Sequence, residues 1–96
     1  MAETTIEQIK EKIVPVLKEH DISRSALFGS VVRGEDTPDS DVDILVELPD
    51  GKSLLDLVRL GFDLEEVLKK KVDVLTYDAI SPYLRDRILS EQILIL

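Results

Sequence analysis

The sequence predicts a small α/β (α+β) domain, a mixed β-sheet with helices packed against it. Three observations carry that expectation. Stretches of period-two alternation and stretches of helical period follow one another in the order α-β-α-β-α-β-α-β. The chain has 96 residues and shows no internal repeat or linker, so residues 1–96 are expected to form a single domain. Hydrophobic residues make up 44 % and charged residues 33 %, the balance of one modest core under a heavily charged surface.

Composition excludes several classes of function. Without cysteine there is no disulfide framework and no thiolate metal site. A single histidine argues against His-rich zinc sites and a Ser-His-Asp triad. No apolar run approaches the ~20 residues of a membrane-spanning helix. Met1, Ala2 and Glu3 begin neither the basic start nor the apolar centre of a signal peptide. The expected setting is therefore the cytoplasm, with no membrane partner. Twelve basic residues stand against 20 acidic, a net charge of −8, so no direct nucleic-acid partner is expected.

The first helix is expected over residues 4–20. Thr4 and Glu7 fit a capping box, and Ile6, Ile9, Ile13, Val16 and Leu17 recur at helical spacing. Pro15 should kink or split it. Arg24 to Phe28 reads as a short strand. Gly29-Ser30 then opens a short helical turn that Gly34 closes. Glu35 to Ser40 is a polar loop. Asp41 to Leu48 alternates as a strand, with Val42, Ile44, Val46 and Leu48 on one face and Asp41, Asp43, Leu45 and Glu47 on the other. Pro49-Asp50-Gly51 signals a turn. Ser53 to about Lys70 is helical, although Gly61 weakens it by about 1 kcal/mol relative to alanine. Val72 to Thr76 is a third strand. Ser81-Pro82 starts a last helix reaching about Ser90. Ile93 to Leu96 reads as a terminal strand, either internal or an exposed edge able to pair with another chain. The pattern leaves the strand order open.

Two carboxylates stand out because Asp is disfavoured in strands. Asp41 and Asp43 are two residues apart, hence on one face and roughly 6–7 Å apart. Repulsion between them would be relieved by a hard, oxygen-ligated divalent cation. A lone D-x-D is more often a solvated sheet face. Asp73, a further acid between Val72 and Val74, makes a pocket for two Mg²⁺ ions plausible, about 3.5–4 Å apart. Gly29 permits a tight turn, and the N–H groups after it open a helix, a ready anion site to which Ser30 adds a hydroxyl. Taken alone, Gly-Ser is ordinary strand-to-helix punctuation. Arg33, one turn on, is placed either to reach a phosphate or to stay at the surface.

The segment Leu27-Phe28-Gly29-Ser30, Arg33-Gly34-Glu35 and Ser40-Asp41-Val42-Asp43 resembles the signature of the DNA polymerase beta-like nucleotidyltransferase superfamily. Ten residues, Val31 to Ser40, separate Ser30 from Asp41. This G-S-x10-D-x-D spacing resembles that of minimal nucleotidyltransferases, the antitoxin half of HEPN/MNT toxin–antitoxin pairs. The resemblance runs along nearly the whole chain, and the length fits a catalytic core alone. It implies a nucleotidyltransferase-like fold and transfer of a nucleotidyl group, usually AMP from ATP with Mg²⁺, to an acceptor hydroxyl with release of pyrophosphate. In that antitoxin family the acceptor is a tyrosine of the cognate HEPN ribonuclease toxin. Carried over, Asp41, Asp43 and Asp73 are the catalytic residues and ligands of two Mg²⁺ ions, while Gly29, Ser30 and Arg33 bind the nucleotide. Asp73 is also the plausible acceptor of the hydroxyl proton. The alternatives are transfer to a small molecule such as an aminoglycoside, or an antitoxin that masks its toxin without catalysis. Either a homo-oligomer or a hetero-oligomer with the toxin is compatible with the sequence.

The other chemically capable residues read as structural. His20 follows a helix end, where it suits the helix dipole. Tyr77 and Tyr83 read as core or rim more than as nucleobase platforms. Lys69 to Lys71 reads as a solvated helix end, and Arg85 and Arg87 as a helix face.

Overall fold

A computed structural model describes residues 6–34 and 41–96. The elements are α1 (Ile6–Glu19), β1 (Ser25–Phe28), α2 (Ser30–Arg33), β2 (Val42–Val46), α3 (Leu54–Leu68), β3 (Val72–Thr76), a 3-10 turn (Tyr77–Ala79), α4 (Pro82–Glu91) and β4 (Ile93–Leu94). The order expected from the sequence holds. The strands form one four-stranded mixed sheet in the order β3-β2-β1-β4. β1 runs antiparallel to both β2 and β4, while β2 and β3 are parallel. No helix among the described residues is long and apolar enough to cross a membrane.

One face of the sheet carries the main core. Leu27, Val42, Ile44 and Val46 meet Ile9, Ile13 and Leu17 of α1 and Leu60, Leu64 and Leu68 of α3. These helices turn inward the apolar stripe that their sequence spacing predicts. Pro15 does not split α1, which is unbroken from Ile6 to Glu19. The packing of Ile13, Val16 and Leu17 on either side of it holds the helix together against the lost hydrogen bond. Thr4, and with it the expected capping box, lies outside the described residues, as does the loop Glu35 to Ser40. At the far end of α1, His20 Nε2 lies 2.8 Å from Asp63 Oδ2, tying α1 to α3.

α3 begins where the Asp56 carboxylate accepts the Ser53 N–H at 2.9 Å. It ends at Leu68, two residues short of the expected limit, because Lys69 turns left-handed (φ 58°) and its N–H caps the Glu65 carbonyl. α4 starts as expected, with Ser81 Oγ accepting the Tyr83 N–H and Pro82 in the first turn. The terminal strand is shorter than expected: only Ile93 and Leu94 pair, with Leu27 and Ala26 respectively.

The second face of the sheet is not simply wet. Leu45 is fully buried with Ala26, Phe28 and Ile80, under Ile88 and Leu89 of α4. Ser25, paired with Val46 and so on the main-core face, is fully buried and donates its hydroxyl to the Leu45 carbonyl at 2.7 Å. This small second core stops short of Asp43, so the acid lies at the margin between an apolar layer and solvent.

Candidate active site

The site forms where β1 ends and β2 begins. Antiparallel pairing sets Phe28 opposite Asp43, so the turn that leaves β1 passes beside that carboxylate. Parallel pairing sets Asp43 directly opposite Asp73. Neighbouring strands are roughly 4.8 Å apart, and paired residues point to the same face. Asp41 precedes the first residue of β2 and is exposed, so the D-x-D pair straddles the strand's start rather than lying wholly within it.

Gly29 is required by its neighbour. Its φ is +81°, in the left-handed region, and a Cβ built on it would run into the Asp43 carboxylate, with Cγ only 3.0 Å away. The Gly29 carbonyl accepts the N–H groups of Val32 and Arg33 at 3.1 and 3.2 Å, which winds α2. Ser30 is the first residue of α2; its side chain lies outside the described part of the structure. Gly29 and the start of α2 therefore sit against Asp43, while Asp73 flanks it on the other side.

The electrostatics follow. Burial first, and then the charges of Asp73 and Asp41, push the Asp43 carboxyl up to about 6 against the opposing charge of Arg33. Asp43 is thus the point where the other three charges are felt together. Among the described residues, no three His, Cys, Asp or Glu side chains are gathered closely enough to hold a metal ion as they stand. The strand register, not a closed cage, is what brings Asp43 and Asp73 together. The donor chemistry nevertheless fits a hard divalent cation: carboxylates only, mutually repelling, and open to solvent on one side.

A cleft of about 230 Å³ adjoins this cluster, with Phe28, Gly29 and Arg33 on one wall and Arg87, Ile88 and Glu91 of α4 on the other. A larger cleft, of about 650 Å³, lies at the opposite end of the sheet around Arg24, Glu47, Thr76 and Tyr77. Size does not mark the chemical site here, since none of the three aspartates lines the larger cleft. There the Arg24 guanidinium lies over the Tyr77 ring, 4.2 Å from its centroid. Tyr83 is neither core nor rim: it is 96 % exposed on α4.

The sequence reading missed Glu91 and took Arg87 for a plain helix face. Their spacing of four along α4 was the available signal.

The nucleotidyltransferase-domain model matches residues 10–95, and the chain belongs to that family. It is 58 % identical over 88 residues to a Methanocaldococcus jannaschii protein provisionally named a protein adenylyltransferase, covering 92 % of this chain and 95 % of that one. It is 35 % identical over 95 residues to the protein adenylyltransferase MntA of Thermococcus cleftensis, covering 95 % and 96 %. Among solved structures, one provisionally named a minimal nucleotidyltransferase superposes with a TM-score of 0.81 at 35 % identity, covering 97 % and 98 %. The MNT antitoxin solved with a tri-AMPylated HEPN toxin from Shewanella oneidensis shares the fold, with a TM-score of 0.72 at 21 % identity over 94 % of this chain and 71 % of that one. The protein is a nucleotidyltransferase enzyme with protein adenylyltransferases as its relatives.

Proposed function

We propose that the protein is a Mg²⁺-dependent protein adenylyltransferase that moves AMP from ATP to a tyrosine hydroxyl of a cognate HEPN toxin and thereby acts as its antitoxin. The observation that carries this reading is the register that sets Asp43 opposite Asp73 beside Gly29, which lacks the Cβ that would displace the Asp43 carboxylate. Relatives named protein adenylyltransferases and the fold shared with an antitoxin held against an AMPylated toxin support the choice of acceptor.

In this mechanism Asp41, Asp43 and Asp73 would hold the Mg²⁺ ions, which would supply a lowered pKa at the attacking hydroxyl and charge neutralisation at the triphosphate and the departing pyrophosphate. Gly29 lets the triphosphate approach the backbone, and Ser30 and Arg33 bind it. The tyrosine oxygen forms a bond to the α-phosphorus as the bond from that phosphorus to the bridging oxygen breaks. Asp73, on the edge strand and exposed, takes the tyrosine proton. Pyrophosphate carries away the electron pair.

The test is label transfer from α-labelled ATP to the purified toxin partner. Asp41→Asn, Asp43→Asn and Asp73→Asn should each lower transfer by at least about 10²-fold, as removal of an essential charged group does, while the chain stays folded. Transfer that persists in both Asp41→Asn and Asp43→Asn would refute the assignment. Toxin silenced equally well in the presence of a chelator would point to masking by contact instead.

A further inference from the structure

Glu91 stands between two guanidinium groups from opposite walls of the cleft. Its Oε1 lies 3.6 Å from Arg33 Nη1 of α2. Its Oε2 lies 3.5 Å from Arg87 Nε, one turn earlier on α4. The three side chains line the same cleft as Gly29, together with the apolar Phe28 and Ile88. Stabilisation of α4 is a weak reason for this arrangement. A partly exposed pair four residues apart contributes little, and Arg33 is not on that helix. A carboxylate that spans two arginines presents its two oxygens much as a phosphate group does. The cleft also borders the acids, because Gly29, which lines it, lies directly against the Asp43 carboxylate.

We infer that Arg87 is a second phosphate-binding residue of the nucleotide site, and that Glu91 is a built-in stand-in for the nucleotide's phosphates. Glu91 keeps both guanidinium groups turned into the cleft until a polyphosphate displaces it. The inference rests on the nucleotidyl-transfer reading above. Because Glu91 has the same sign of charge as its competitor, it weakens nucleotide binding while it preorganises the arginines. Arg33 is the guanidinium whose charge acts on Asp43, and Arg87 is joined to it through Glu91, so in this proposal Arg87 serves the outer phosphates. It should matter for a triphosphate and little for AMP.

The test is calorimetric titration of the whole chain with α,β-methylene-ATP and Mg²⁺, and separately with AMP and Mg²⁺. Arg87→Ala should raise the Kd for the triphosphate about tenfold, the size of a charge-assisted contact. Arg87→Lys, which keeps the charge but not the fork, should fall between. Glu91→Gln should lower the triphosphate Kd by roughly threefold to tenfold, and this gain should shrink when Arg87 is also alanine. AMP binding should change by less than about twofold throughout. Thermal melts without nucleotide check that each variant is folded, and Arg87→Lys serves if Arg87→Ala is not. Triphosphate binding within twofold of wild type in Arg87→Ala, or weaker binding in Glu91→Gln, overturns the inference. If the wild type binds the triphosphate and Asp43→Asn does not, such a result defeats the role of Arg87 alone. If the wild type itself does not bind, the nucleotidyl-transfer reading falls too.

Discussion

Replacing Gly29 with alanine separates two costs that the structure places at one residue. The first is conformational. At φ +81° a side chain meets its own carbonyl, which costs roughly 1–2 kcal/mol. The second is local: the new Cβ would displace the Asp43 carboxylate. Gly51 supplies the control, since it has φ +88° but nothing within 4 Å of a built Cβ. Both alanine variants should therefore lose about 1–2 kcal/mol, a fall in Tm of roughly 4–8 °C per kcal/mol in a domain this size. Only Gly29→Ala should lose transfer, by about 10²-fold, the effect of misplacing a reacting group by about 1 Å. Differential scanning calorimetry and initial rates of label transfer measure the two effects on the same preparations. Wild-type transfer by folded Gly29→Ala would show that Asp43 does not need that space, and the site geometry argued here would be wrong. Equal loss of transfer in Gly51→Ala would show that strain, not contact, is responsible.

Two further outcomes follow from packing and charge. The Asp43 carboxyl titrates near 6 in the folded chain against 3.8 as its ordinary value, so the folded state holds this proton more tightly. Its contribution to stability is intact below about 3.8 and is lost as pH rises through 6. In metal-free buffer at pH 7.5, Asp43→Asn should be more stable than wild type by about 1–2 kcal/mol, a figure reduced for solvent screening; a lower Tm for this variant would refute that sign. Ser25→Ala removes the buried hydroxyl from the Leu45 carbonyl and should cost about 1–3 kcal/mol in urea denaturation, with transfer changed little because Ser25 lies at the far end of β1.

Asp43 is half-buried opposite Phe28, at the edge of the layer made by Leu45, Phe28 and Ala26. Keeping a carboxylate there lowers the stability of the chain, and under the proposed mechanism it would leave a charge ready for a cation, a common trade between stability and activity.

The sequence by itself determined the element order, the two inward helix stripes, and the Gly29-Ser30 and Asp41-x-Asp43 motif. Each depends on neighbours a few residues apart, and periodicity and turn chemistry record such relations directly. It also overstated β2, whose first residue is Val42, because alternation continues past the point where pairing stops. Tertiary structure alone decided the rest. Nothing local says that β2 pairs in parallel with β3 and sets Asp43 opposite Asp73, since strand order is fixed by how the whole core packs. Nothing local says that α4 covers the second face, buries Leu45 and brings Arg87 and Glu91 to Arg33. Contacts between residues 58 positions apart in the chain, as between Arg33 and Glu91, leave no trace in spacing; they exist only once the sheet has chosen its order.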